Sequence, residues 1–96
     1  MMRYIAIIDG EDGAYGAAFP DVPGCVAMAA TRDAVIQDAA EALAEWVADE
    51  LSDGRPLPIA RSKEALMQDN EISAALSKGA VLASIPFTLE TGKLAS

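Results

Sequence analysis

Four acidic residues, Asp38, Glu41, Glu45 and Asp49, recur at spacings of three, four and four. On an α-helix these spacings place all four on one face over about three turns. Carboxylates hold metal ions for hydrolysis when several converge on one point. Asp9 and Asp21 are available elsewhere, but acids drawn out in a row along a helix cannot all converge on one point. The chain has no histidine for general acid–base work. Its one cysteine, Cys25, has no partner for an internal disulfide and no metal-ligand spacing around it. It reads as a small buried residue. Neither a serine constellation nor a glycine-rich phosphate loop of known spacing is present. The sequence therefore predicts no catalytic residue, no metal and no cofactor.

What a carboxylate row can do is attract positive charge. Like charges at these spacings each destabilise a helix by about 0.2–0.5 kcal/mol, and no Lys or Arg lies between Asp33 and Asp53 to relieve them. One reading is a solvated face that keeps the protein soluble. The other is an electrostatic face for a basic partner, with Asp38, Glu41, Glu45 and Asp49 as its contact residues.

The bulk charge leans the same way. The net charge is −8, and it is unevenly spread. Residues 1–54 hold Arg3 and Arg32 against eleven acids, a net of −9, whereas residues 55–96 hold five bases and four acids. Such a surface repels phosphate backbones, so direct nucleic-acid binding is not expected. No run of about 18 apolar residues suggests a membrane span, and Met1 to Asp9 lacks the pattern of a secretory signal. With a lone cysteine, the expected location is the cytoplasm.

The elements that must carry these residues read in order as strand, strand, strand, long helix, short helix, strand. Met2 to Ile8 suits a strand, Gly10-Glu11-Asp12-Gly13 a turn, and Ala14 to Phe19 the hairpin partner. Pro20-Asp21-Val22-Pro23-Gly24 cannot continue a ladder, because its prolines lack a donor. Cys25 to Ala29 then resumes as a third strand. Thr31 is a fitting N-cap, and no Gly or Pro interrupts Asp33 to Ser52. Ile36, Ala40, Leu43, Val47 and Leu51, widened by Ala39 and Trp46, form the expected buried stripe. Gly54, Pro56 and Pro58 stop the helix. Ser62 caps a short helix, Glu71 to Lys78 forms another turn or two, and Ala80 to Phe87 is a final strand. The predicted class is α+β, a three-stranded antiparallel meander with a long helix, a short helical segment and a further strand. Residues 1–87 form the domain and 88–96 a tail.

The ordered motifs resemble a family. Tyr4-Ile5-Ala6-Ile7-Ile8, an acidic Gly-rich turn, Tyr15 and Phe19-Pro20-Asp21-Val22-Pro23-Gly24-Cys25 are similar to the N-terminal domain of HicB antitoxins. The resemblance runs through Thr31, Ala34, Ala39, Glu41-Ala42-Leu43 and Trp46 to Asp53-Gly54-Arg55-Pro56-Leu57-Pro58. It implies a partial RNase H-like sheet with one long helix packed across it. It also implies a role in neutralising HicA, a small basic mRNA-cleaving toxin. An alternative is an orphan HicB-like ligand or adaptor domain without a toxin, and a neighbouring gene for a small basic protein would tell the two apart.

Within the motif, Phe19, Pro20, Val22, Pro23 and Gly24 are expected to shape the loop, with Asp21 as a further candidate for partner contact. Apolar residues 80–87 suggest pairing across a two-fold axis, giving a homodimer or higher homo-oligomer. HicB proteins commonly continue into a DNA-binding segment. This sequence stops at Ser96, so the expectation is a shortened or minimal member without that segment.

Overall fold

In the computed structural model, which describes residues 2–87, three strands form a meander. These are β1 (Met2–Glu11), β2 (Ala14–Ala18) and β3 (Val26–Ala29). The long helix α1 (Arg32–Ser52) follows, then α2 (Lys63–Met67), α3 (Asn70–Ser77) and β4 (Val81–Phe87). The sheet order is β3-β2-β1-β4, and every neighbouring pair is antiparallel. The α+β class and the order of elements match the expectation from sequence. The tail assigned to 88–96 lies outside the described residues.

Strand alternation builds the two sheet faces. Tyr4, Ala6 and Ile8 of β1, Ala17 of β2 and Ile85 and Phe87 of β4 are buried beneath α1. Tyr4 and Phe87 stack with ring centroids 5.3 Å apart and planes 9° from parallel, an offset arrangement that adds to their burial. β1 runs three residues beyond the expected Ile8, and the hairpin turn contracts to Asp12-Gly13. Gly10 is therefore a strand residue, with φ at +114°. A Cβ there would meet the Ala14 carbonyl oxygen at 2.2 Å, so only glycine fits this close approach.

The α1 cap is as expected, with the Thr31 hydroxyl accepting from the Ala34 N–H at 3.1 Å. The buried row differs from the sequence reading. It is Val35, Ala39, Leu43 and Val47, while Ile36, Ala40, Trp46 and Leu51 pack on its flanks, half-buried. Residues four apart form one continuous ridge of a helix, and β-branched Val35 begins that ridge where the bulkier Ile36 had suggested it. Each large apolar side chain so buried contributes about 1.5–3 kcal/mol.

Past α1, the Gly54 N–H donates to the Leu51 carbonyl and the Arg55 N–H to that of Glu50, closing the last turn. Ser62 caps α2 by accepting from the Ala65 N–H. Asp69 caps α3 by accepting from the N–H groups of Glu71 and Ile72 at 2.9 and 3.2 Å. β4 then pairs with β1 from Met2↔Phe87 to Ile8↔Val81. Pro86 is tolerated because β4 is an outer strand.

Candidate functional site

Asp38, Glu41, Glu45 and Asp49 are all exposed on α1. Among the described residues none of the four forms an ion pair or a side-chain hydrogen bond. Every ion pair there belongs to Arg55, with Glu50 and Asp53, or to Arg61, with Asp21 and Asp69. The structure brings the four together as a continuous charged row, with no cation paired to it among the described residues. The row is not central on the solvent side of α1. A groove of about 220 Å³ beside β3 is lined by Glu45 and Asp49 together with Trp46, Ala42 and the backbone stretch Gly24–Val26.

Asp21, the loop's candidate partner contact, is engaged within the chain. Its side chain is only 10 % exposed and forms an ion pair with Arg61 Nε at 2.7 Å. Its other carboxylate oxygen accepts the backbone N–H of Arg61, also at 2.7 Å. Both oxygens are thus engaged across 40 residues of sequence. The Arg61 guanidinium also reaches Asp69 at 3.7 Å. These charge-assisted bonds tie the proline loop to the segment before α2.

That clamp belongs to a larger arrangement sequence reasoning missed. The segment from Gly54 to Ser62 has no regular secondary structure, yet it is fastened along its length. The Arg55 guanidinium donates to Glu50 through Nε at 3.0 Å and Nη2 at 2.7 Å. This holds the Glu50 carboxyl below the usual carboxylate range and raises the Arg55 pKa in turn. Tyr4 donates its hydroxyl to the Pro58 carbonyl. Its pKa is raised, first by burial and then by the nearby charge of Asp21. Arg61 closes the far end on Asp21. The Arg55–Glu50 pair is local, whereas no local signal marks Tyr4–Pro58 or Arg61–Asp21, which depend on the approach of residues 54 and 40 positions apart.

The proline loop is organised by its backbone. The Val22 N–H donates to the Phe19 carbonyl and the Cys25 N–H to that of Val22, both at 3.1 Å. Phe19 and Val22 are buried, whereas Pro23 and Gly24 are exposed and Pro20 is half-buried. Gly24 adopts φ of +89°, the left-handed conformation that completes the second turn. Cys25 is buried, and its thiol pKa is raised by desolvation, which makes it a poor nucleophile. Among the described residues no three Cys, Asp or Glu side chains gather closely enough to hold a metal ion. No helix there is long and apolar enough to cross a membrane.

Fold and surface together define a class: a small α+β domain whose prominent feature is an extended charged flank. The chain belongs to the HicB-like antitoxins of bacterial toxin–antitoxin systems, whose family model matches residues 4–91. It is similar in structure to the antitoxin HicB of Burkholderia pseudomallei, with a TM-score of 0.77 and 27% identity over 93% of this chain. It spans 65% of that antitoxin's length. The isolated N-terminal domain of the same antitoxin matches over 92% of this chain and 100% of its own, with a TM-score of 0.76 and 27% identity. A chain of the HicA3 and HicB3 toxin–antitoxin complex shares the fold at 23% identity and a TM-score of 0.70, over 91% of this chain and 99% of its own. No curated protein sequence matches.

Proposed function

We propose that this chain binds a small basic HicA-type mRNA-cleaving toxin and holds it inactive, by occlusion and without chemistry of its own. The observation that carries this is the exposed, unpaired row Asp38, Glu41, Glu45 and Asp49. It stands in a chain of net charge −8 that belongs to the HicB-like antitoxins. A basic ribonuclease must present positive charge to its RNA, and an acidic surface competes for that same charge. The similar fold in the HicA3 and HicB3 complex supports a protein partner of this kind.

On this reading the partial RNase H-like sheet is a scaffold and the cytoplasm, where mRNA is cut, is the place of action. The chain does not itself bind nucleic acid, since its charge repels phosphate. Residues 88–96 follow the domain as a tail, and a second copy associates through apolar residues 80–87. Asp21 supports the fold behind the binding surface. The test is RNA cleavage by a HicA-type toxin, with and without saturating chain. Suppressed cleavage is expected, and undiminished cleavage would overturn the reading.

A further inference from the structure

β3 is an outer strand of the sheet, and among the described residues nothing pairs with its far side. The Cys25 carbonyl accepts from the Phe19 N–H, and the same register pairs Ala17 with Ala27 and Tyr15 with Ala29. Alternation along an antiparallel ladder then turns the backbone groups of Ala27 and Ala29 toward β2. Those of Val26 and Met28 point to the open side. Proteins usually blunt such an edge with a proline, a charge or a bulge. The opposite edge carries Pro86 in β4. β3, Val-Ala-Met-Ala, is short, four residues, but carries no proline, charge or bulge.

Two unlike surfaces flank this edge. On the helix side lies the groove between Gly24–Val26 and Glu45, Trp46 and Asp49. Asp38 and Glu41 continue along the same face of α1. At about 100° per residue the four acids fall on the β3 side of the helix's outward arc, and the arc beyond them carries Gln37, Ala44 and Ala48 with the acid Asp33 in the first turn. On the other side of the sheet is a mainly apolar trough of about 460 Å³, lined by Ile7, Gly16, Ala18, Val26, Met28 and Ala75 together with the charged Asp9. Val26 and Met28 are 61 % and 79 % exposed there.

We propose that β3 accepts an extended basic segment of a partner protein as a fifth strand of the sheet. Strand side chains alternate between the faces. An added strand therefore places one set against Glu41, Glu45 and Asp49 and the other on Val26 and Met28. The edge selects a segment of alternating basic and apolar residues, with main-chain hydrogen bonds supplying affinity and the two flanks supplying specificity. A second copy of this chain is a poor occupant, because pairing β3 with β3 would bring two acidic rows together. The inference deepens the toxin-binding reading and rests on it for the partner's identity.

The test uses two synthetic peptides of one composition, Lys-Val-Lys-Val-Lys-Val-Lys and Lys-Lys-Lys-Lys-Val-Val-Val, titrated into the full chain and followed by backbone amide NMR. Strand addition predicts at least about tenfold tighter binding of the alternating peptide. Its shifts should centre on Val26, Met28, Glu45 and Asp49 and fade as salt rises. Met28→Pro removes one outward N–H while sparing the β2 ladder, and it should abolish the preference. Should that variant fail to fold, Glu45→Gln with Asp49→Asn should weaken the alternating peptide by about tenfold. Equal binding of both peptides, shifts centred elsewhere, or self-association through β3 would each overturn the proposal. A chain that prefers the alternating peptide yet leaves the toxin's RNA cleavage untouched would overturn the toxin reading instead.

Discussion

The acids of this chain fall into two groups with opposite surroundings. Asp21, Glu50, Asp53 and Asp69 meet Arg55 or Arg61 and fasten the segment between α1 and α2 to the body of the domain. Asp38, Glu41, Glu45 and Asp49 meet no cation among the described residues and stand beside an open strand edge. The first group is satisfied inside the chain and its removal should loosen the fold. The second is left repelling itself, so its removal should do the reverse. Function is thereby separable from stability. Residues that cost the fold something and receive nothing from it are the ones to examine for a partner.

Breaking the internal group should give the largest change in stability. Asp21→Ala leaves the Arg61 guanidinium and backbone N–H without their shared acceptor. It should cost about 1–2 kcal/mol, moderated by the partial exposure of Arg61. Urea unfolding measures the loss, and hydrogen exchange should quicken across residues 55–62. The converse change, Asp38→Asn, Glu41→Gln, Glu45→Gln and Asp49→Asn together, removes like-charge neighbours and should stabilise the chain by about 0.5–1.5 kcal/mol. A loss of stability in that variant would mean the row has internal partners after all.

The smallest effect concerns pH. Hydrogen bonding from Arg55 holds the Glu50 carboxyl below its ordinary range. A carboxylate depressed in the folded state stabilises above its unfolded pKa, about 4.3. That contribution is lost as pH falls through the lower folded value. Arg55→Ala should raise the Glu50 pKa toward the ordinary value and flatten the acid limb of the stability curve. NMR titration of the Glu50 carboxyl, with unfolding measured across the same pH range, checks both.

The contrast between the two groups also marks what could be read from the sequence. The element order, the Thr31 and Ser62 caps and the exposure of the acidic row follow from local propensity and period. These are properties of neighbouring residues. The hairpin turn was placed too broadly because Gly10 reads as a turn residue, whereas in the fold it is the one residue type that lets β1 pass the Ala14 carbonyl. Helical spacing predicts Ile36 in the buried row, although Val35 holds that position. Asp21 sits in the proline loop with no local reason for its charge. Its reason, Arg61, lies 40 residues away. The openness of β3 was equally hidden, since only the sheet order makes it an edge.

The most direct measurement is the association rate of the wild-type chain and of the four-fold α1 variant with a HicA-type toxin, taken across a salt series. Charge steering by α1 predicts a wild-type rate that falls steeply with salt. The variant should be slower by about tenfold or more at low ionic strength, with the two converging as salt rises. Equal rates at low salt, in a variant that still folds and still suppresses RNA cleavage, would contradict the role of Asp38, Glu41, Glu45 and Asp49 and leave the row as solvated surface.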